Sequence, residues 1–121
     1  MLSYKLFQSG LNGITVQALC QDVNTGISAA GTAQGDATEL TSDVNVLSTV
    51  ASGSGVILYS LSVPRDEQTI FNGGANPVIV YPVSGAKINN LSTNAGVILA
   101  TNTTLRLIMV TLTKHIGILS A

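Results

Sequence analysis

Charge is what this sequence has least of. Asp, Glu, Lys and Arg make up 9% of its 121 residues, where soluble domains carry about 25%. The five basic residues, Lys5, Arg65, Lys87, Arg106 and Lys114, stand singly in a chain of net charge −1. With no basic stripe to neutralise phosphates, the composition argues against nucleic acid as a partner. Water solubility falls instead to 39 Ser, Thr, Asn and Gln residues. A surface so poor in charge is expected to be largely covered by partners.

Other shortages narrow the field further. Tryptophan is absent and Tyr and Phe number three and two, so a lectin built on aromatic platforms has weak support. A single cysteine, Cys20, excludes an intrachain disulfide and agrees with assembly in a reducing cytoplasm. Its expected place is that of a small buried hydrophobe. The N-terminal residues lack the apolar core of a signal peptide, and no run approaches the roughly 18 apolar residues of a membrane span. No membrane partner is expected, and the acceptor patterns at Asn90-Leu91-Ser92 and Asn102-Thr103-Thr104 are read as chance.

Titratable groups are too few for a convincing active site: Asp22, Asp36, Glu39, Asp43, Asp66, Glu67, His115 and Cys20. Asp66 and Glu67 are adjacent, but neighbours on an extended chain point to opposite sides and share neither proton nor metal. They read as a solvated turn. His115 has no second histidine to form a ligand pair and reads as a surface or interface residue. Gly53-Ser54-Gly55 lacks the Lys-Ser/Thr of a phosphate loop and opens no helix. The sequence therefore points to no catalytic residue, metal or cofactor.

The most ordered stretch is Phe71 to Pro82. Asn72, Gly73, Gly74, Asn76 and Pro77 read as a hairpin turn whose residues tolerate positive φ, leading into Val78-Ile79-Val80-Tyr81. Pro77 and Pro82 confine that strand to four residues or place it at a sheet edge, and its unbroken apolar character predicts burial on both faces. Further strands are read at Val56–Leu61, Gln68–Phe71, Ala86–Asn89, Gly96–Ala100, Thr104–Thr113 and His115–Leu119. Strands on both sides of a turn at Thr41-Ser42-Asp43 are favoured for Ala37–Ala51, a single helical turn after Thr41 being the alternative. Short strands divided by Gly, Asn and Ser mark an all-β fold, a small antiparallel sandwich or barrel. No connection is long enough for a crossover helix, which excludes parallel α/β.

In the longest strand, Leu105, Leu107 and Met109 face one way and Ile108, Val110 and Leu112 the other. One face is assigned to the core and the other to a subunit. Residues 1–36 read as an arm and hinge, residues 37–121 as the β-sandwich domain. Ile14–Asn24 fits helical and strand spacing alike, a short helix being favoured, with Gly26 in the left-handed position after it. The apolar residues Leu2, Tyr4, Leu6, Phe7, Ile14 and Leu19 form a docking arm. Together with Val80, Tyr81, Ile108 and Val110 they are the candidate subunit or shell interface.

From about Asp36 to Ala100 the chain also resembles a small β-domain that recurs among tailed-bacteriophage structural proteins, including capsid decoration (cement) proteins. The likeness rests on Asn72-Gly73-Gly74-Ala75-Asn76-Pro77-Val78, Val80-Tyr81-Pro82 and Ser84-Gly85-Ala86-Lys87-Ile88-Asn89. It is flanked by Gly55-Val56-Ile57-Leu58 and Asn94-Ala95-Gly96-Val97-Ile98-Leu99. Tyr59 and Pro64-Arg65-Asp66 stand where that pattern has Pro and a Gly-Asp turn, Asn102 replaces a turn glycine, and the late aromatic near His115 is missing. The resemblance implies a virion structural protein that is not an enzyme. The expected role is a decoration protein that binds the outer capsid surface as a homotrimer and stabilises the shell. Its partners would be the major capsid protein and its own copies, with assembly in the host bacterial cytoplasm. The alternative is a receptor- or glycan-binding module of a phage fibre or baseplate. The short chain, without repeats or a long stalk, favours the first.

Overall fold

The computed structural model describes residues 23–120. Ten strands run in chain order as β1 (Val23–Ser28), β2 (Thr38–Glu39), β3 (Val44–Thr49), β4 (Gly55–Ile57) and β5 (Glu67–Asn72). They continue as β6 (Val78–Tyr81), β7 (Lys87–Ile88), β8 (Val97–Leu99), β9 (Thr104–Thr111) and β10 (Lys114–Leu119). The all-β expectation holds for the described residues. The favoured helix over Ile14–Asn24 lies mostly outside them, and its last two residues, Val23 and Asn24, open β1.

The strands form a large sheet in the order β1-β3-β5-β9-β10-β7 and a small sheet in the order β2-β4-β6-β8. Both are mixed. β1, β3 and β5 pair in parallel, as do β2, β4 and β6, while β9, β10 and β8 add antiparallel pairs. The expected antiparallel arrangement is therefore corrected, and the physical reason lies in the connections. A parallel pair needs a crossover of a dozen or more residues, usually a helix. Here the crossover between two strands of one sheet is a strand of the other: the chain alternates from β1 to β2, β3, β4, β5 and β6 in solenoid-like coils.

That alternation also reassigns the glycine turn. β5 and β6 belong to different sheets, so Asn72–Pro77 is an arc between sheets rather than a hairpin. Gly73 and Gly74 are not among the glycines with positive φ. They are needed because the preceding coil comes close. A Cβ on Gly74 would sit 2.6 Å from Val50 Cγ2 and 2.9 Å from the Val50 backbone nitrogen, and one on Gly73 2.9 Å from the Leu47 carbonyl oxygen. Asn72, fully buried, ties the arc together: its Nδ2 donates to the carbonyls of Asn76 (2.9 Å) and Leu99 (3.0 Å), and its Oδ1 accepts from Gly74 N–H (2.9 Å). Asn76 Nδ2 reaches back to the Val50 carbonyl at 2.9 Å.

Between the sheets lies one core, with Ile27, Leu47, Ile70, Leu105, Leu107 and Ile88 from the large sheet and Val56, Val78, Val80 and Leu99 from the small one. Thr25–Ser28 belong to β1, paired with β3, so the stretch read as a hinge supplies an integral strand. Gly26 does adopt φ +75°, but within a bulge of β1 rather than after a helix.

Candidate interaction face

β9 alternates cleanly. Leu105, Leu107 and Met109 are buried in the core, while Arg106, Ile108 and Val110 point outward. On an ordinary half-solvated strand the outward positions would be polar. Its neighbours in the large sheet continue the pattern. Ile116 of β10 stands opposite Ile108 and Ile118 opposite Arg106. On the other flank, Glu67 lies opposite Ile108, Thr69 opposite Arg106, and Val44 of β3 opposite Thr69. The result is an outer face carrying Val44, Ile108, Val110, Ile116 and Ile118, all exposed, with Ile118 reaching 71%.

Near the middle of this apolar face sits one charged pair. Arg106 Nη2 donates to Glu67 Oε1 at 2.9 Å and Arg106 Nε donates to the same oxygen at 3.2 Å. Both side chains are more than half exposed, so the pair itself contributes little stability. A cleft of about 170 Å³ runs beside it, lined by Glu67, Arg106, Leu107, Ile108, Ile116 and Ile118. A neighbouring groove of about 490 Å³ is polar, lined by Asp43, Val44, Arg65, Asp66, Glu67, Thr69 and Arg106. That lining offers no aromatic platform for a sugar ring. Asp66 is engaged locally: its Oδ2 accepts from Val63 N–H at 3.0 Å. The adjacent acids thus part ways, one capping a turn and the other pairing with Arg106.

The small sheet has a different outer face. Tyr81 and Ile79 lie across Gly55 and Gly96, where a Cβ on Gly55 would meet Tyr81 Cε2 at 2.7 Å and one on Gly96 would meet Ile79 Cγ2 at 2.4 Å. Both large side chains are half-buried by this packing, while the neighbouring Ile98 is 69% exposed. The expected burial of both faces of β6 is thus half met: Val78 and Val80 are in the core, Ile79 and Tyr81 only partly covered.

The sequence-derived interface set is therefore divided. Ile108 and Val110 share the large-sheet face, Tyr81 lies on the outer side of the small sheet, and Val80 is a core residue with no exposed surface. Leu2, Tyr4, Leu6, Phe7, Ile14 and Leu19 lie outside the described residues. Sequence reading missed Ile116 and Ile118, although their alternation with His115 and Gly117 was the available signal. The turn set Asn72, Gly73, Gly74, Asn76 and Pro77 is structural, holding one coil to the next.

His115 is a second correction. It is 1% exposed, its Nε2 has no hydrogen-bond partner among the described residues, and burial holds its pKa below the ordinary value. Beside it in the same sheet, Ile88 of β7 is its paired neighbour and is itself fully buried. Glu39 also has a lowered pKa, through hydrogen bonding with Ser60, whose N–H lies 3.0 Å from Glu39 Oε2. No cluster of three or more His, Cys, Asp or Glu that could hold a metal ion occurs among the described residues. No protein-family model, curated protein or solved structure matches the chain.

Proposed function

We propose that the chain is a structural protein of a tailed-phage virion, a capsid decoration protein that binds the outer shell as a trimer and stabilises it. The observation that supports this best is the apolar outer face of β9 and β10 on a chain with so little charge. Burying the exposed parts of Ile108, Val110, Ile116 and Ile118 would contribute roughly 4 kcal/mol per contact before ordering costs. Glu67 and Arg106, one charge of each sign, would fix the register of that contact more than its strength. The resemblance carried by Asn72–Pro82 supplies the context of a phage shell, with the major capsid protein and sister subunits as partners. The role is mechanical and involves no chemical step.

Imaging purified virions tests this reading. Density for a trimer of this chain at the three-fold positions of the outer shell is the expected result. Its presence at a fibre tip or baseplate would favour the receptor-binding alternative instead.

A further inference from the structure

Basic residues that stand singly in the sequence come together on the large sheet. Among the described residues they are Arg65, Lys87, Arg106 and Lys114. Arg106 has its partner in Glu67, and that is the single ion pair among the described residues. The other three are cations without a counter-ion among those residues, and all three sit at one end of the sheet.

Two of them are direct neighbours. Lys114 of β10 and Lys87 of β7 are parallel partners, on strands about 4.8 Å apart. The next residue of each strand, His115 and Ile88, is buried, so the two lysines turn outward together. Like charges at directly paired positions of a sheet are destabilising. Both lysines are half-buried, which limits the screening that water provides.

Arg65 reaches the same end from the other side of β9. Its N–H donates to the Met109 carbonyl at 2.8 Å and Met109 N–H donates to the Asp66 carbonyl at 2.9 Å, so two residues oppose one in a bulge that prolongs the β5–β9 pairing. The bulge closes a turn in which Asp66 N–H donates to the Val63 carbonyl at 3.0 Å, with Pro64 and Arg65 at its centre. Arg65 has φ +83°, at the position where such a turn favours glycine. An arginine there carries backbone strain that glycine would avoid. Its side chain makes no ion pair with Asp43 or Asp66, which line the same groove.

We infer that this end of the large sheet docks a partner protein that presents carboxylates, with Arg65, Lys114 and Lys87 as its three points of contact. The inference rests on the reading of this face as an interface and adds the chemistry of the other side. Three strand spacings separate Arg65 from Lys87, about 14 Å, a row that an acidic segment can follow. A strained arginine and a like-charged lysine pair are both unfavourable in the free chain, and charge-assisted hydrogen bonds to incoming carboxylates would offset both. Ile116 lies two residues beyond Lys114 on the same side of β10, and Val110 is exposed on β9 beside the bulge. A ligand that covers such apolar side chains together with cations is a protein surface rather than a phosphate backbone. Acids of this chain are already engaged: Asp36, Glu39 and Asp66 each accept a backbone N–H, and Glu67 is paired with Arg106. A second copy laid row against row on this end would add like charges, so the partner is a different protein.

Removing the charges without harming the fold provides the test. In the full-length triple variant Arg65→Gly, Lys87→Gln, Lys114→Gln both the strain and the repulsion are gone, so its urea midpoint should equal or exceed that of the native chain. A lower midpoint would mean that these residues serve the fold, against the proposal. Binding is read at low salt on an immobilised random copolymer of glutamate and leucine, which mixes carboxylates with apolar side chains. The native chain should be retained, less so as salt is raised, and the variant should bind at least tenfold more weakly. Equal binding by the two, or no retention of the native chain, would overturn the proposal. So would tighter binding to a short DNA duplex than to the copolymer, because the ligand would then be phosphate. A smaller oligomer mass for the variant in light scattering would also overturn it, because the row would then face a sister copy. None of these readouts uses a capsid: a chain that binds the copolymer but not undecorated shells would contradict the phage reading alone.

Discussion

Replacing Asn72 with alanine should be among the most damaging single changes in the described chain, although it removes no apolar contact. The amide ties the arc to β8: its Nδ2 donates to the carbonyls of Asn76 and Leu99, and its Oδ1 accepts from the N–H of Gly74. A cavity the size of an amide cannot supply those partners. Taking about 1 kcal/mol for each lost bond in a buried setting gives roughly 3 kcal/mol of destabilisation. In a domain of this size that corresponds to a drop in Tm of roughly 10–20 °C. Asn72→Asp should be no better, since it keeps an acceptor for Gly74 but turns a carboxylate oxygen towards two carbonyls. Urea unfolding followed by circular dichroism measures both, with Ser48→Ala, on an exposed position of β3, as the reference. If Asn72→Ala lies within about 0.5 kcal/mol of that reference, the amide is not the tie that holds the arc.

Other expectations follow from the same geometry. Gly74→Ala must push against both the Val50 side chain and its backbone nitrogen, and should cost about 1–3 kcal/mol in the same unfolding assay. Burial lowers the pKa of His115 in the folded chain. The unfolded chain therefore binds its proton first as pH falls, so stability should be unaffected by this residue above about pH 6.5 and decline below it until the lower folded-state value is passed. Comparing unfolding at pH 7.5 and 5.0 should show that slope in the native chain and its loss in His115→Met. Light scattering of the isolated protein should give a trimer mass at micromolar concentration, and a stable monomer of 12.4 kDa would count against self-association through the apolar face.

Much of the local structure is legible in the residues. Val78–Tyr81 is a strand with the predicted bounds, because prolines stand on either side of it. The turn at Thr41–Asp43 separates two strands as expected, and β9 shows its two faces in its alternation. Pairing direction was not legible. A run of Asn and Gly signals a change of course but does not say whether the chain returns within one sheet or crosses to another. Only Leu47 and Val50, packed against Gly73 and Gly74, make that distinction, and they come from the preceding coil. His115 was misread for a similar reason: it is buried in a sheet where its paired neighbour, Ile88, is far away in sequence. The outer face was half visible, since Ile108 and Val110 stood out in a long strand while Ile116 and Ile118 alternate over too short a stretch to attract notice.

The central claim is that the outer face of β9 and β10 is where this protein meets its partners, and Ile118 offers the most direct test. Being 71% exposed, it can be changed to Asp at a cost of about 0.5 kcal/mol or less to the isolated fold, while a carboxylate buried in a contact is strongly unfavourable. Wild-type and Ile118→Asp proteins should be mixed with undecorated shells and the bound fraction measured by cosedimentation. The account predicts a variant that keeps its folded circular dichroism spectrum and loses occupancy at least tenfold. Full occupancy by a folded Ile118→Asp protein would contradict it.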